Sequence, residues 1–123
     1  MSKESVKLLV YGSLRSEGYN NRSQFKSLGL TKIKGYKLYS LGPYPGINEG
    51  EEDDELVCEI LEVSPKDAQW IDRMEIGAGY RLEKKTVDGH ECTLYVHNRD
   101  LSERPHVEHG DWIKYRQEQR TTA

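Results

Sequence analysis

The chain has 123 residues, of which 18 are Lys or Arg and 21 are Asp or Glu, for a net charge of −3. That length suits a single domain, 1–123, with a modest core. So even a balance excludes the broad positive field that draws a protein to nucleic acid or to an anionic membrane.

No apolar stretch approaches the length of a membrane span, and Met1-Ser2-Lys3-Glu4 leads into no secretory apolar region. A cytoplasmic protein, off the membrane, is the expectation. Residues 6–11 read as a first strand that delivers Tyr11-Gly12-Ser13-Leu14-Arg15 to a tight turn. Gly18-Tyr19-Asn20-Asn21 is a turn cluster, and Arg22 to Leu30 reads as a short helix ended by Gly29. Ile33 to Leu41 alternates as a strand does. Gly42-Pro43-Tyr44-Pro45-Gly46 reads as irregular, because prolines and glycines punctuate it. Glu49 to Glu55 is an acidic run and reads as a solvated loop.

Leu56 to Val63 is a strand. Ser64-Pro65 then signals a helix start, with Ser64 as N-cap and Pro65 in the first turn. Ala68, Ile71, Met74 and Glu75 follow at helical spacing, and Gly77-Ala78-Gly79 stops the helix. Tyr80 to Val87 and Glu91 to Asn98 are strands joined by an Asp88-Gly89 hairpin. Cys92, Leu94 and Val96 form its core face, opposite Thr93, Tyr95 and His97. Gly110-Asp111-Trp112 opens a short last element ending near Tyr115, and 116–123 reads as a frayed tail. Strands with two short helices point to a mixed α+β or barrel-like domain. Cys58 and Cys92 lie in apolar runs and read as free buried thiols.

Four features bear on chemistry. Gly12 has no side chain to keep a ligand from the backbone N–H groups, Ser13 adds a hydroxyl, and Arg15 adds a cationic fork that suits a carboxylate. The same residues also describe a plain strand-to-turn passage. Glu75 ends a largely apolar helix face, where the carbonyl end of the helix and partial burial both push a carboxyl group upward. A carboxyl so tuned suits general acid–base work, although an exposed helix-end glutamate looks the same in sequence. Tyr80 either walls a pocket beside Glu75 or starts a strand in the core. His90, His97, His106 and His109 lack the partners and spacing of a metal site. There is no phosphate loop or dinucleotide fingerprint, so neither a metal nor another cofactor is expected.

Taken together, the chain resembles the γ-glutamylcyclotransferase-like (AIG2-like) family. The resemblance rests on Tyr11-Gly12-Ser13-Leu14, on Gly35-Tyr36-Lys37-Leu38-Tyr39 and on Leu41-Gly42-Pro43-Tyr44-Pro45-Gly46. It continues through Cys58-Glu59-Ile60-Leu61, the helix end Ile71-Asp72-Arg73-Met74-Glu75, and Tyr80-Arg81. Gly110-Asp111-Trp112 resembles the small bacterial members in particular. The chain departs from the pattern at Cys58, where the family usually has glycine, and at Ile76, which separates Glu75 from the glycine stop.

The resemblance implies a small mixed β-barrel with flanking short helices. It implies a reaction in which a γ-glutamyl amine or small γ-glutamyl peptide closes to 5-oxoproline and frees its amine. Glu75 would be the general acid–base residue. Tyr11, Gly12, Ser13, Leu14, Arg15, Tyr80 and Tyr115 would bind substrate. The oligomeric state is left open. A non-catalytic module that binds a small molecule in the same cavity is the alternative, and an interaction protein working through the acidic loop is a third reading.

Overall fold

The apolar run near the N-terminus forms β1 (Val6–Val10), the middle strand of a five-stranded sheet. A computed structural model describes residues 5–12, 14, 15 and 21–121. After β1 come β2 (Lys26–Lys34), β3 (Tyr36–Ser40), β4 (Pro45–Glu49), β5 (Glu55–Val63) and α1 (Pro65–Gly77). The chain ends with β6 (Tyr80–Val87), β7 (His90–His97), β8 (His106–Val107) and α2 (Trp112–Thr121). The larger sheet runs β2-β5-β1-β7-β6 and the smaller β4-β3-β8. β1 is antiparallel to β5, with Leu9 opposite Ile60, and parallel to β7, with Leu9 opposite Leu94. The α+β class is as expected. The described strands lie in two sheets and do not close into one barrel.

Alternation along β1 divides the core in two. Leu9 and Tyr11 join Leu38, Ile47, Ile60, Leu94 and Val96, a cluster drawn from both sheets. Leu8 and Val10 join Leu61, Val63, Ala68 and Ile71 under α1. The larger sheet is thus covered on both faces. This overturns the one-sided reading of β7, because Thr93, Tyr95 and His97 are buried along with Cys92, Leu94 and Val96. Cys58 and Cys92 are free and buried, and burial pushes both thiols upward.

α1 begins and ends where its capping residues require. The Ser64 Oγ accepts the Asp67 N–H at 3.1 Å, and Pro65 occupies a position whose N–H needs no helical partner. At the other end the Ala78 N–H reaches the Met74 and Glu75 carbonyls at 3.1 Å each. Gly79, at φ 101°, turns the chain into β6.

Three local expectations are corrected. The helix expected over Arg22–Leu30 is absent. Residues 26–34 form β2, and their period of two is broken by a bulge between Ser27 and Gly29, with Gly29 at φ 114°. The bulge changes the phase, so that Leu28 and Ile33 pack on the core while Leu30 faces solvent. Pro45 and Gly46, expected to be irregular, open β4, since proline is tolerated at a strand's first residue. Residues 116–121 continue α2 and are not a frayed tail. No described helix is long and apolar enough to cross a membrane.

Candidate active site

Where β1 ends, the chain bends through a turn closed by the Arg15 N–H on the Gly12 carbonyl at 3.0 Å. This turn, the start of β4 and the end of α1 surround a cavity of about 280 Å³. The N-terminal half of the chain supplies Val10, Tyr11, Gly12, Leu14, Tyr44 and Pro45 to its wall. α1, the turn that ends it and the strands after it supply Met74, Glu75, Ala78, Tyr80 and Tyr95. The size suits a small ligand.

Among the described residues Glu75 is the one ionisable carboxyl in that wall. Burial pushes it up to about 7, and the Asp72 carboxylate, one helical turn earlier, adds to the rise. Removal from water disfavours the charged form, and a like charge does the same. The acid and base forms of Glu75 are therefore both well populated near neutrality. Asp72 is itself held in place, because the Tyr95 hydroxyl donates to its Oδ1 at 2.7 Å.

Three tyrosines of the wall, Tyr11, Tyr80 and Tyr95, have committed protons. The Tyr11 hydroxyl donates to the Tyr95 carbonyl at 2.6 Å, and the Tyr80 hydroxyl donates to the Pro45 carbonyl. Burial is the first cause that raises both phenols, and proximity to Glu75 adds to it in each. Both stay protonated, and each oxygen keeps lone pairs for a donor such as an ammonium group. The His97 ring meets the Tyr80 ring edge-on at 4.8 Å, while its Nδ1 accepts the Arg99 N–H at 3.1 Å. Burial holds His97 below its ordinary value, with Arg99 and Arg104 adding to the effect.

The structure thus brings together Tyr11, Gly12, Leu14, Glu75 and Tyr80 of the expected site. Ser13 lies outside the described residues. Arg15 and Tyr115, both expected at the substrate, do not line the cavity. The buried Arg15 guanidinium meets Asp111 at 2.8 Å, which ties the turn to the start of α2. Tyr115 stacks on Trp112 with ring centroids 5.5 Å apart. The acidic run does not line the cavity either, and its Asp54 sits 3.8 Å from Lys37. Among the described residues no three His, Cys, Asp or Glu side chains gather as metal ligands would.

Sequence reading missed Tyr44, Pro45, Met74, Ala78 and Tyr95 as wall residues, and Asp72 as a neighbour of Glu75. One signal was available: Asp72 and Glu75 are three apart on a helix and so share a face.

Gly12 offers a direct test of the turn. A Cβ there would stand 2.8 Å from the Pro45 Cγ and 3.1 Å from its Cδ. A ring carbon cannot swing away, so Gly12→Val either fills the cavity or moves its wall. We expect kcat/KM for the γ-glutamyl substrate that the family resemblance implies to fall about 100-fold. An unchanged kcat/KM would remove the turn from the site.

Comparison with known proteins agrees with this architecture. The family model described as "Gamma-glutamyl cyclotransferase, AIG2-like" matches residues 8–114. Over 111 residues the chain is 28% identical to the "Gamma-glutamylcyclotransferase family protein YtfP" of Escherichia coli (strain K12), an alignment that covers 88% of this chain and 96% of that one. A solution structure of the E. coli protein matches with a TM-score of 0.73 over 90% of this chain and 99% of that one. Protein PH0828 of Pyrococcus horikoshii is 36% identical over 85 residues, covering 65% of this chain and 68% of that one. Its crystal structure matches with a TM-score of 0.82 over 95% and 98% of the two chains. An AIG2-like protein from Mus musculus, 19% identical with a TM-score of 0.69 over 85% and 87% of the chains, shares the fold.

Proposed function

Because the chain belongs to the γ-glutamyl cyclotransferase, AIG2-like family, we propose that it converts a γ-glutamyl amine or small γ-glutamyl peptide into 5-oxoproline and the free amine. The observation that carries this reading is Glu75, a carboxyl raised to about 7 in the wall of a ligand-sized cavity. A pocket that only holds a ligand has no need of such a group.

The reaction asks little of the protein. The substrate's own α-amine nitrogen bonds to its γ-carbonyl carbon, and the bond from that carbon to the leaving nitrogen breaks. Glu75 takes a proton from the attacking ammonium nitrogen, which frees its lone pair, and passes it to the leaving nitrogen; the second proton, shed as the attacking nitrogen becomes the ring amide, goes to the freed amine, and no water is consumed. Holding the glutamyl chain folded supplies most of the rate advantage, since attack within one molecule replaces an encounter. The Tyr11 and Tyr80 oxygens, with their own protons donated elsewhere, suit the incoming ammonium group. The backbone N–H groups of Gly12 and Leu14 suit the α-carboxylate or the oxyanion that forms at the γ-carbon.

Incubation with a panel of γ-glutamyl amides and dipeptides tests the reading, with 5-oxoproline as the readout. Release from at least one member is expected, and no release by folded protein would overturn it. A second expectation concerns Asp72. Replacement by Asn keeps an oxygen to accept the Tyr95 hydroxyl but removes the charge that helps to raise Glu75. The Glu75 carboxyl then falls, so the rising acidic limb of the kcat profile moves to lower pH. A limb that stays in place would show that Asp72 does not tune Glu75.

A further inference from the structure

We propose that the outer part of this cavity is a subsite for an uncharged, apolar leaving amine, with Tyr44 and Met74 as its specificity-determining residues. This rests on the cyclotransferase reading.

The wall residues sort by depth. Val10, Tyr11, Leu14, Tyr80 and Tyr95 are buried, as is Pro45. Tyr44 is 45% exposed and Met74 37%, and Ala78 is exposed as well. The first set is the floor and the second is the mouth. Glu75, intermediate in exposure, stands between them. Local structure fixes the two mouth residues. The Leu41 N–H closes a turn on the Tyr44 carbonyl at 2.9 Å, directly before Pro45 starts β4. Met74 directly precedes Glu75 in α1.

Reaction geometry assigns a substrate half to each set. The glutamyl half folds into a five-membered ring and has the enclosed floor. The leaving nitrogen must reach Glu75 to collect its proton, so the substituent on that nitrogen leads outward past Tyr44 and Met74. An aromatic ring, a thioether and a methyl group meet it there, and these surfaces reward apolar area and supply no charge.

Charge points the same way. Among the described residues no Lys, Arg or His lines the cavity. Glu75 lies beside the mouth, and Asp72 adds negative charge one helical turn behind it. A carboxylate on the leaving amine would enter without a partner and against like charge, which costs affinity. An alkyl group of the same shape would not.

The test compares two amides that are nearly identical in shape, γ-glutamylglycine and γ-glutamyl-isobutylamide. Affinity is measured by calorimetry on the Glu75→Gln protein, and kcat/KM for 5-oxoproline release on the parent. The isobutylamide is expected to be favoured at least about tenfold in both. Met74→Lys, at an exposed helix position that lysine suits, is expected to close most of that gap by giving the carboxylate a partner. Equal or better use of γ-glutamylglycine by the parent, with 5-oxoproline released, overturns the subsite and leaves the reaction standing. A tenfold binding preference with no 5-oxoproline from either amide supports the apolar subsite and overturns the cyclotransferase reading. Failure of both amides to bind overturns both.

Discussion

Glu75→Gln is expected to lower kcat for 5-oxoproline release by roughly 1,000-fold, in the range for loss of a positioned acid–base group. Affinity for an uncleaved γ-glutamyl amide should change little, because glutamine keeps the size and the hydrogen-bonding reach of the side chain. The same variant should also change stability, in a direction that a catalytic loss alone would not suggest. The folded protein holds the Glu75 proton up to about pH 7, against an ordinary value of 4.5. A folded value raised in this way means that its stabilising contribution is complete below pH 4.5 and is lost as pH rises through about 7. Glutamine carries no such loss. At pH 8 the inactive variant should therefore be more stable than the parent by up to about 3 kcal/mol, less where solvent reaches the carboxyl. Urea unfolding at pH 4 and pH 8 measures this. The parent should lose stability between the two values relative to the variant, and parallel behaviour would show that Glu75 titrates as an ordinary glutamate.

The largest effect on the fold is expected from Gly110→Ala. Gly110 has φ 72°, and a Cβ there would stand 2.0 Å from the Glu55 carbonyl oxygen and 3.3 Å from the Leu56 Cα. Both obstacles are backbone of β5, which cannot step aside without breaking its ladder. The position also binds the two segments directly, since the Val57 N–H donates to the Gly110 carbonyl at 2.8 Å. Overpacking against backbone together with a left-handed conformation should cost about 3–5 kcal/mol. For a chain of this size that lowers Tm by more than about 10 °C. Circular dichroism melting curves read it directly, and a Tm within a few degrees of the parent would contradict the close packing of this turn on β5.

The extent to which these features could be read from the residues depends on how local their causes are. α1 was legible to its ends, because Ser64, Pro65 and the Gly77-Ala78-Gly79 stop act on their immediate neighbours. The β6–β7 hairpin was legible for the same reason, through Asp88-Gly89. β2 was not. A single left-handed residue, Gly29, shifted the alternation and left a spacing close to that of a helix. Glu75 stood out as a carboxylate at the end of an apolar face. Tyr44 and Met74 did not, because side chains at a cavity mouth look like ordinary surface. Arg15 had the chemistry to hold a carboxylate and does hold one, but the carboxylate is Asp111. Nothing in a run of residues tells an arginine which of the chain's own acids will reach it first.

The contacts that frame the cavity also set the order in which it can be assembled. The Tyr11 hydroxyl is secured 84 residues away at the Tyr95 carbonyl, and the Arg15 guanidinium 96 residues away at Asp111. β1 itself stays unpaired until β5 and β7 exist to flank it. β1, made before either strand that flanks it, is thus completed late, and its apolar residues wait in the open until β5 and β7 follow. Distant closures of this kind slow folding and expose sticky surface in the interval. Protein cut short before Asp111 should accumulate in inclusion bodies, not as a soluble core that lacks only its tail.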